Sequence, residues 1–449
     1  MTDLRNGWQD LTVADICDEV YDGPHATPTK LDEGPIFLNI SSLVNGRIVL
    51  SESVHLSEED FVKWTRRVTP QPDDLVFSYE TRLGEAALIP EGLRCCLGRR
   101  MALIRPYREM VDPKYLLYYF LSPILQNEIR KYTTAGSTVE RLALADVRKF
   151  RVLLPPLPEQ RAIASILGAL DDKIELNRRM NATLESLARA IFKSWFVDFD
   201  PVKINAGQMP ASAAIPSTND PKTLDLFPST FQDSELGQIP EGWTVQTMEQ
   251  ASSLIIDYRG KTPKKLGSDW SETGVRAVSA KNVKDGRLVR PETMRSVDDE
   301  LYAKWMKDEL ALNDILMTSE APLGELYFLA TNANYCLSQR IYGIRANPEV
   351  CESSFLYFWL ESDACQDEIK SRATGTTVVG IRQSELRKVR VLAPPIEVQK
   401  LASEVLHEAL INIHSNELES ATLNGLRDSL LPQLLSGEIP VTEFVESER

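Results

Sequence analysis

Residues 74–105 recur at 314–345 without a gap, at a constant offset of 240, and this duplication constrains the fold more than any other feature. Ten of those 32 positions are identical. Asp74, Glu80, Leu83, Gly84, Glu85, Cys96, Leu97, Arg100, Ile104 and Arg105 match Asp314, Glu320, Leu323, Gly324, Glu325, Cys336, Leu337, Arg340, Ile344 and Arg345. The likeness extends outward. Gly7-Trp8 returns as Gly242-Trp243, TPTK at 27–30 as TPKK at 262–265, and VNGRI at 44–48 as VKDGRL at 283–288. VLLPPLPEQ at 152–160 returns as VLAPPIEVQ at 391–399. The chain is therefore built from two copies of one unit.

Each unit has a compact part and a long helix. GPIFLNISSLVNGRIVL and DDLVFSYETRLGEAALI read as short strands around Asn-Gly and Gly turns. DPKYLLYYFLSPILQNEIRKY has helical spacing and is expected to form one helix. Pro-Pro then fixes φ and disfavours a helical residue before it, which makes a stiff elbow into the second part. Past the elbow, Ile163, Ile166, Leu170, Ile174, Asn177, Asn181, Leu184, Ala188, Ile191 and Trp195 follow a 3-4 alternation. The second copy places Val405, Ala409, Ile413, Asn416, Ser420, Leu423 and Leu430 on one face. An Asn on such a seam fixes register and partner orientation at some cost in stability.

The fold class expected is α+β: two tandem pseudo-symmetric compact domains separated by two long helices packed as an antiparallel coiled coil. The expected boundaries are 1–157 for the first domain, 158–199 for its helix, 200–235 for a Pro/Ser/Ala-rich surface connector, 236–396 for the second domain, 397–437 for its helix and 438–449 for a tail. In the first elbow Pro158 suits the first turn of the helix and Glu159 its positive end; in the second Val398 stands in the place of Glu159, and Glu397, one place earlier, is the candidate to fill that role.

Composition excludes several classes. The start MTDLRNGWQD lacks the apolar segment of a signal peptide, and no apolar run is long enough for a bilayer, so the cytoplasm is the expected location. The six cysteines form no C-x-x-C pair, and the four histidines do not cluster with them; no metal site is expected. No N-P-P-Y-like motif and no glycine-rich nucleotide fingerprint occurs. Gly260-Lys261-Thr262 mimics the end of a P-loop, but no Gly stands five residues before Gly260 and Pro263 follows at once. No catalytic residues are assigned, and the chain is expected not to be an enzyme by itself.

The formal net charge is −15, yet basic residues gather at matching points of the repeat. Residues 258–290 hold nine Lys/Arg against three acids, residues 94–108 hold five Arg and no acid, and residues 370–390 hold six Lys/Arg and one acid. Two similar but diverged heads suit a ligand with two different half-sites, and duplex DNA is the obvious one. The candidate DNA-binding residues are Thr27, Lys30, Arg82, Arg99, Arg100, Thr138 and Arg141 in the first head. In the second they are Lys261, Lys264, Lys265, Lys281, Arg340, Thr377 and Arg382. Lys and Arg there would clamp phosphates or reach guanine edges. The competing reading is a helical scaffold that binds only protein partners, which explains the seams but not the duplicated basic heads.

The chain resembles the specificity subunits of type I restriction-modification systems. The likeness is carried by the paired PPLPEQ and PPIEVQ elbows, the helix DDKIELNRRMNATLESLARAIFKSWFVDF, the bridge LFPSTFQDSELGQIPEGW and the ending LRDSLLPQLLSGEI. It implies two target-recognition domains reading a bipartite asymmetric site in double-stranded DNA. It also implies two long helices that set the spacer and dock two modification subunits, with two motor-nuclease subunits added. By the same resemblance no cofactor binds this chain. S-adenosylmethionine belongs to the adenine-methylating modification subunits, and ATP with Mg to the motor-nuclease subunits.

Overall fold

The structure, a computed structural model, describes residues 7–133, 140–214, 220–376 and 378–441. It divides into two units, 1–176 with 419–449, and 177–418. Each contains one head and a portion of both long helices.

The two heads repeat one topology. In the first, a four-stranded sheet runs in the order Cys17–Asp22, Met101–Pro106, Leu75–Ser78, Ala86–Leu88. In the second the order is Ser252–Asp257, Ile341–Ala346, Ile315–Ser319, Leu323–Phe328. A smaller three-stranded sheet accompanies each. There Cys95–Leu97 lies parallel to Leu31–Leu38, as Tyr335–Leu337 lies parallel to Val275–Val278. The central strands are apolar on both sides: Leu75, Val76, Phe77, Met101, Leu103 and Ile104 are all fully buried. Such runs read as buried strands because each face meets its own cluster of side chains.

The hairpin signals are realised. Leu43–Val44 pairs with Arg47–Ile48 across Asn45 and Gly46, both at positive φ, and Val283–Lys284 pairs with Arg287–Leu288 across Asp285 and Gly286. Two positive-φ residues are what a type I′ turn requires. The expected single helix over 112–132 is instead two, Pro113–Leu121 and Pro123–Tyr132. Ser122 breaks it: its extended backbone precedes Pro123, and its hydroxyl accepts from Leu125 N. The second head breaks likewise at Ser362.

Each head is closed by pairing its first strand with its last. Gln9–Thr12 pairs with Arg151–Leu154, and Thr244–Thr247 with Arg390–Ala393. The last strand then turns through Pro-Pro into a helix of 40 residues, Leu157–Phe196 or Ile396–Leu435. The repeated glutamine locks this elbow. Gln160 is fully buried; its amide donates to the carbonyls of Met110 (2.9 Å) and Pro155 (2.8 Å) and accepts from Asp112 N (2.8 Å). Gln399 makes the same three bonds to Val350, Pro394 and Glu352, at 3.0, 2.8 and 3.0 Å. Both amides bind the loop that opens the next head helix, so the helix angle and the head are set together.

The elbows differ at one contact. Trp8 Nε1 donates to Glu159 at 3.2 Å. Val398, in place of Glu159, is buried, and Trp243 Nε1 is buried without a hydrogen-bond partner among the described residues. Glu397 stands in the first turn of the second helix, as Glu159 does in the first, so it fills the expected place at the positive helix end; it is exposed.

The long helices pack antiparallel in each unit. In the first, Asp171 pairs with Arg427 at 2.8 Å and Lys173 with Glu419 at 3.0 Å. Ile163 and Leu167 share a core with Leu431, Leu434 and Leu435, with Ile166 partly buried against it. In the second, Asn177 and Asn181 are buried and face Asn416 and Ile413. Leu184, Ala188 and Ile191 continue this face into the second core. The second helix buries Val398, Ala402, Leu406 and Ala409, while Val405, expected on the seam, is exposed. Leu406 thus takes the place expected of Val405, because it continues the spacing from Ala402, while Ala409 is buried and Asn416 faces the first helix as expected.

The expected connector contains two short helices, Asp200–Asn205 and Pro221–Leu224. Val202 and Phe227 are buried in the second core, where Phe227 meets Trp195 edge-on at 5.5 Å. No helix among the described residues is long and apolar enough to cross a membrane.

Candidate nucleic-acid interface

Most of the residues that the two heads share identically are structural. Asp74 is buried and takes a bidentate hydrogen-bonded pair from Arg105, at 2.8 and 2.7 Å. Arg345 does the same to Asp314, at 2.9 Å twice. A buried carboxylate needs such a partner to stay ionised. Cys95, Cys96 and Cys336 are buried, and burial pushes their thiols up to about 12. They are therefore protonated packing residues at neutral pH.

A different arrangement lies at the turn that joins the small sheet to the central one. Residues 98–100 and 338–340 form this turn, and its last residue, Arg100 or Arg340, holds a left-handed φ of 72° or 65°. Arg100 lies 3.5 Å from Glu80 and bonds Thr81 Oγ1 at 3.1 Å. Arg340 pairs with Glu320 at 3.0 Å. Gly98 is required here by close approach, since a Cβ would lie 1.9 Å from the Leu38 carbonyl oxygen. Gly23 donates its N–H to Met101 at 2.9 Å, so the loop bearing Thr27 and Lys30 starts against the same turn. Both of those residues are exposed.

Other candidates of the first head join this turn from behind. Glu80 bridges to Arg141 by backbone pairing, and Arg141 is exposed. Arg82 is half-buried and bonds inward, to the Ile40 carbonyl at 3.2 Å and to Glu85 at 3.3 Å.

In the second head the turn forms part of a cavity of about 550 Å³ lined by Lys264, Lys281, Arg295 and Arg340, with Ser279, Thr293, Ser338, Gln339, Trp270 and Asp269. Four cations face one lining carboxylate, which makes a local positive field in an acidic chain. Arg295 lies over the ring of half-buried Trp270 at 5.4 Å, a cation–π contact at the cavity wall. Neither residue, nor Gln339, was among the expected candidates. The gapless alignment of Arg99 with Gln339 was the signal available for the last.

The remaining candidates divide. Lys261 is turned inward: its ammonium donates to the Trp305 carbonyl and lies 4.0 Å from the Tyr258 ring, and burial lowers its pKa. Lys265 is exposed and bonds Gly260 O at 2.9 Å. Arg382 is exposed beside buried Ile381, whose carbonyl accepts from Tyr342 and Arg259. Thr138 and Thr377 lie outside the described residues. The basic run 258–290 is therefore split, because Arg259 pairs with Asp257, and Arg287 reaches Glu185 and Glu417 on the long helices. Among the described residues no group of three or more His, Cys, Asp or Glu is placed to hold a metal ion.

Known proteins share this build. The sequence profile of the type I restriction modification DNA specificity domain matches residues 6–186 and 240–426. The chain is 25% identical to the type I restriction enzyme HindI specificity subunit of Haemophilus influenzae, over 90% of this chain and 94% of that protein. It is 25% identical to the MjaVIII specificity subunit of Methanocaldococcus jannaschii, over 85% and 83% respectively. Its fold is similar to that of the S subunit from M. genitalium, with a TM-score of 0.62 at 13% identity over 97% of each chain. With one matched segment on each head and its adjoining helix, the chain belongs to the family of type I restriction-modification DNA specificity subunits.

Proposed function

We propose that each head reads one half of a bipartite, asymmetric site in double-stranded DNA. The observation that carries this reading is the second head's cavity, where Lys264, Lys281 and Arg295 gather with Arg340, which lies on a turn that the first head repeats with Arg99 and Arg100. Cations of this kind neutralise phosphates and place the protein on the duplex, while neighbouring polar side chains meet base edges. The heads have diverged around one frame, so the two half-sites differ in sequence.

The long helices serve as the docking surface for two adenine-methylating modification subunits, and two motor-nuclease subunits join the assembly. In this reading S-adenosylmethionine sits on the modification subunits, ATP and Mg on the motor-nuclease subunits, and the complex works in the cytoplasm. This chain supplies recognition and the partners supply chemistry.

The test is to co-express the chain with its modification subunit in a host lacking adenine methylation and to sequence the modified bases. A bipartite asymmetric motif, methylated once in each half, is the expected result. Exchanging residues 236–396 for those of a relative should alter one half only. A short palindrome, or an assembled complex that methylates nothing, would overturn the reading; the latter would favour a scaffold for protein partners alone.

A further inference from the structure

The two turns at 98–100 and 338–340 are held by the same frame and differ in what they present. In each, the last residue is an arginine at left-handed φ, paired with a glutamate just past the end of the neighbouring central strand. The backbone is pinned as well: Ser338 N donates to Val278 O at 2.8 Å, and Gln339 O accepts from Ala280 N at 3.2 Å. The middle residue is exposed in both heads, and it is Arg99 in the first and Gln339 in the second.

The surrounding charges show which side chain is left for a ligand. Of the five arginines in residues 94–108, Arg94 pairs with Glu58, Arg100 with Glu80, Arg105 with Asp74 and Arg108 with Asp73. Arg99 makes no ion pair or side-chain hydrogen bond among the described residues. Gln339 likewise makes no side-chain hydrogen bond among them, and it lines the cavity beside Lys281 and Arg295. An exposed side chain on a rigid turn, next to cations that position phosphates, has the geometry of a base reader.

We infer that Arg99 and Gln339 are equivalent specificity-determining positions, Arg99 taking a guanine in one half-site and Gln339 an adenine in the other. The inference rests on the proposed reading of DNA by both heads. The chemistry assigns the bases: the guanidinium fork gives two donors to guanine O6 and N7, whereas the carboxamide donates to adenine N7 and accepts from N6. Arg100 and Arg340 are positioning residues, because their charge is already shared with a glutamate.

The test compares wild type, Arg99→Gln and Gln339→Arg, each as the full chain assembled with its modification subunit, by mapping methylated sites. Arg99→Gln should change one base pair of one half from guanine to adenine, and Gln339→Arg should make the converse change in the other half. The preference at that pair should shift about 5- to 150-fold, with the opposite half untouched. The untouched half also reports that the variant is folded. If both variants keep both wild-type half-sites, or lose methylation evenly on all sequences while the complex still forms, the inference is overturned and DNA reading by the heads stands. If wild type itself yields no bipartite motif, the proposed function fails, and this inference with it.

Discussion

Asn416 Nδ2 donates to Asn181 Oδ1 at 2.8 Å, from one long helix to the other. Asn181 is buried, and its own amide reaches the Ile413 carbonyl at 3.2 Å. The pair answers itself only in one register, which is how a polar seam position specifies alignment. Asn181→Ala strands the Asn416 donor and should destabilise the chain by about 1–3 kcal/mol. The double Asn181→Leu/Asn416→Leu variant should lose less than the sum of the two single leucine variants, because neither polar partner is left behind. Urea unfolding of the four chains measures this; a sum equal to the singles would mean the two side chains are uncoupled.

The elbow glutamines make a second prediction. Gln160→Ala leaves Met110 O and Asp112 N without their bond to Gln160, and Asp112 caps the helix Pro113–Leu121. The cost should be about 2–3 kcal/mol. Gln399→Ala should cost a similar amount for the same reason. Limited proteolysis should find the new cleavage in the first head for Gln160→Ala and in the second for Gln399→Ala. Cleavage unchanged in both would mean the elbow is held by the prolines alone.

His414 gives a pH dependence. It lies 3.3 Å from Tyr327 Oη and 3.4 Å from Thr331 Oγ1, and burial holds its pKa below the ordinary value. The folded histidine resists the proton that the unfolded one takes up near the ordinary value of about 6.5. Below it the unfolded state binds more protons, so stability is lost as the pH falls. Glu417, whose pKa burial raises, acts in the opposite sense, losing stability as pH rises above the ordinary carboxylate range. His414→Gln should therefore flatten the loss between pH 6.5 and 5 relative to wild type, leaving the Glu417 contribution in place. Parallel curves for the two proteins would show that His414 titrates freely.

Lys264 and Lys281 should act on affinity rather than sequence choice. Each is exposed at the cavity rim. Replacing either with alanine should weaken binding of the assembled complex to all sequences and reduce the slope of log K against log salt by about 1. Lys261→Ala should leave the slope unchanged, since its ammonium is bonded to the Trp305 carbonyl. A slope change for Lys261 and none for Lys264 or Lys281 would reverse the assignment of the loop.

By itself the sequence determined the two-copy plan, the α+β heads and the long paired helices. Repetition at fixed offset and 3-4 apolar spacing are local patterns that survive without coordinates. It also carried the Asn-Gly hairpin, because two positive-φ positions have few residues that tolerate them. The break at Ser122 was written there too, in Ser-Pro, yet the continuous apolar spacing hid it. What only the tertiary structure decided is which charges are spent. Arg105 and Arg99 look alike in the chain, but Asp74 lies opposite one in space and, among the described residues, no carboxylate pairs with the other. Lys261 and Lys264 are neighbours in one basic loop, and the packing of Tyr258 and Trp305 turns one inward while the other faces the cavity. The elbow glutamine Gln160 reaches a loop some 50 residues away, a partnership that its repeated phrase does not show. Ion pairs and buried amides are long-range in sequence and short-range in space, so their partners are set by the fold and not by spacing along the chain.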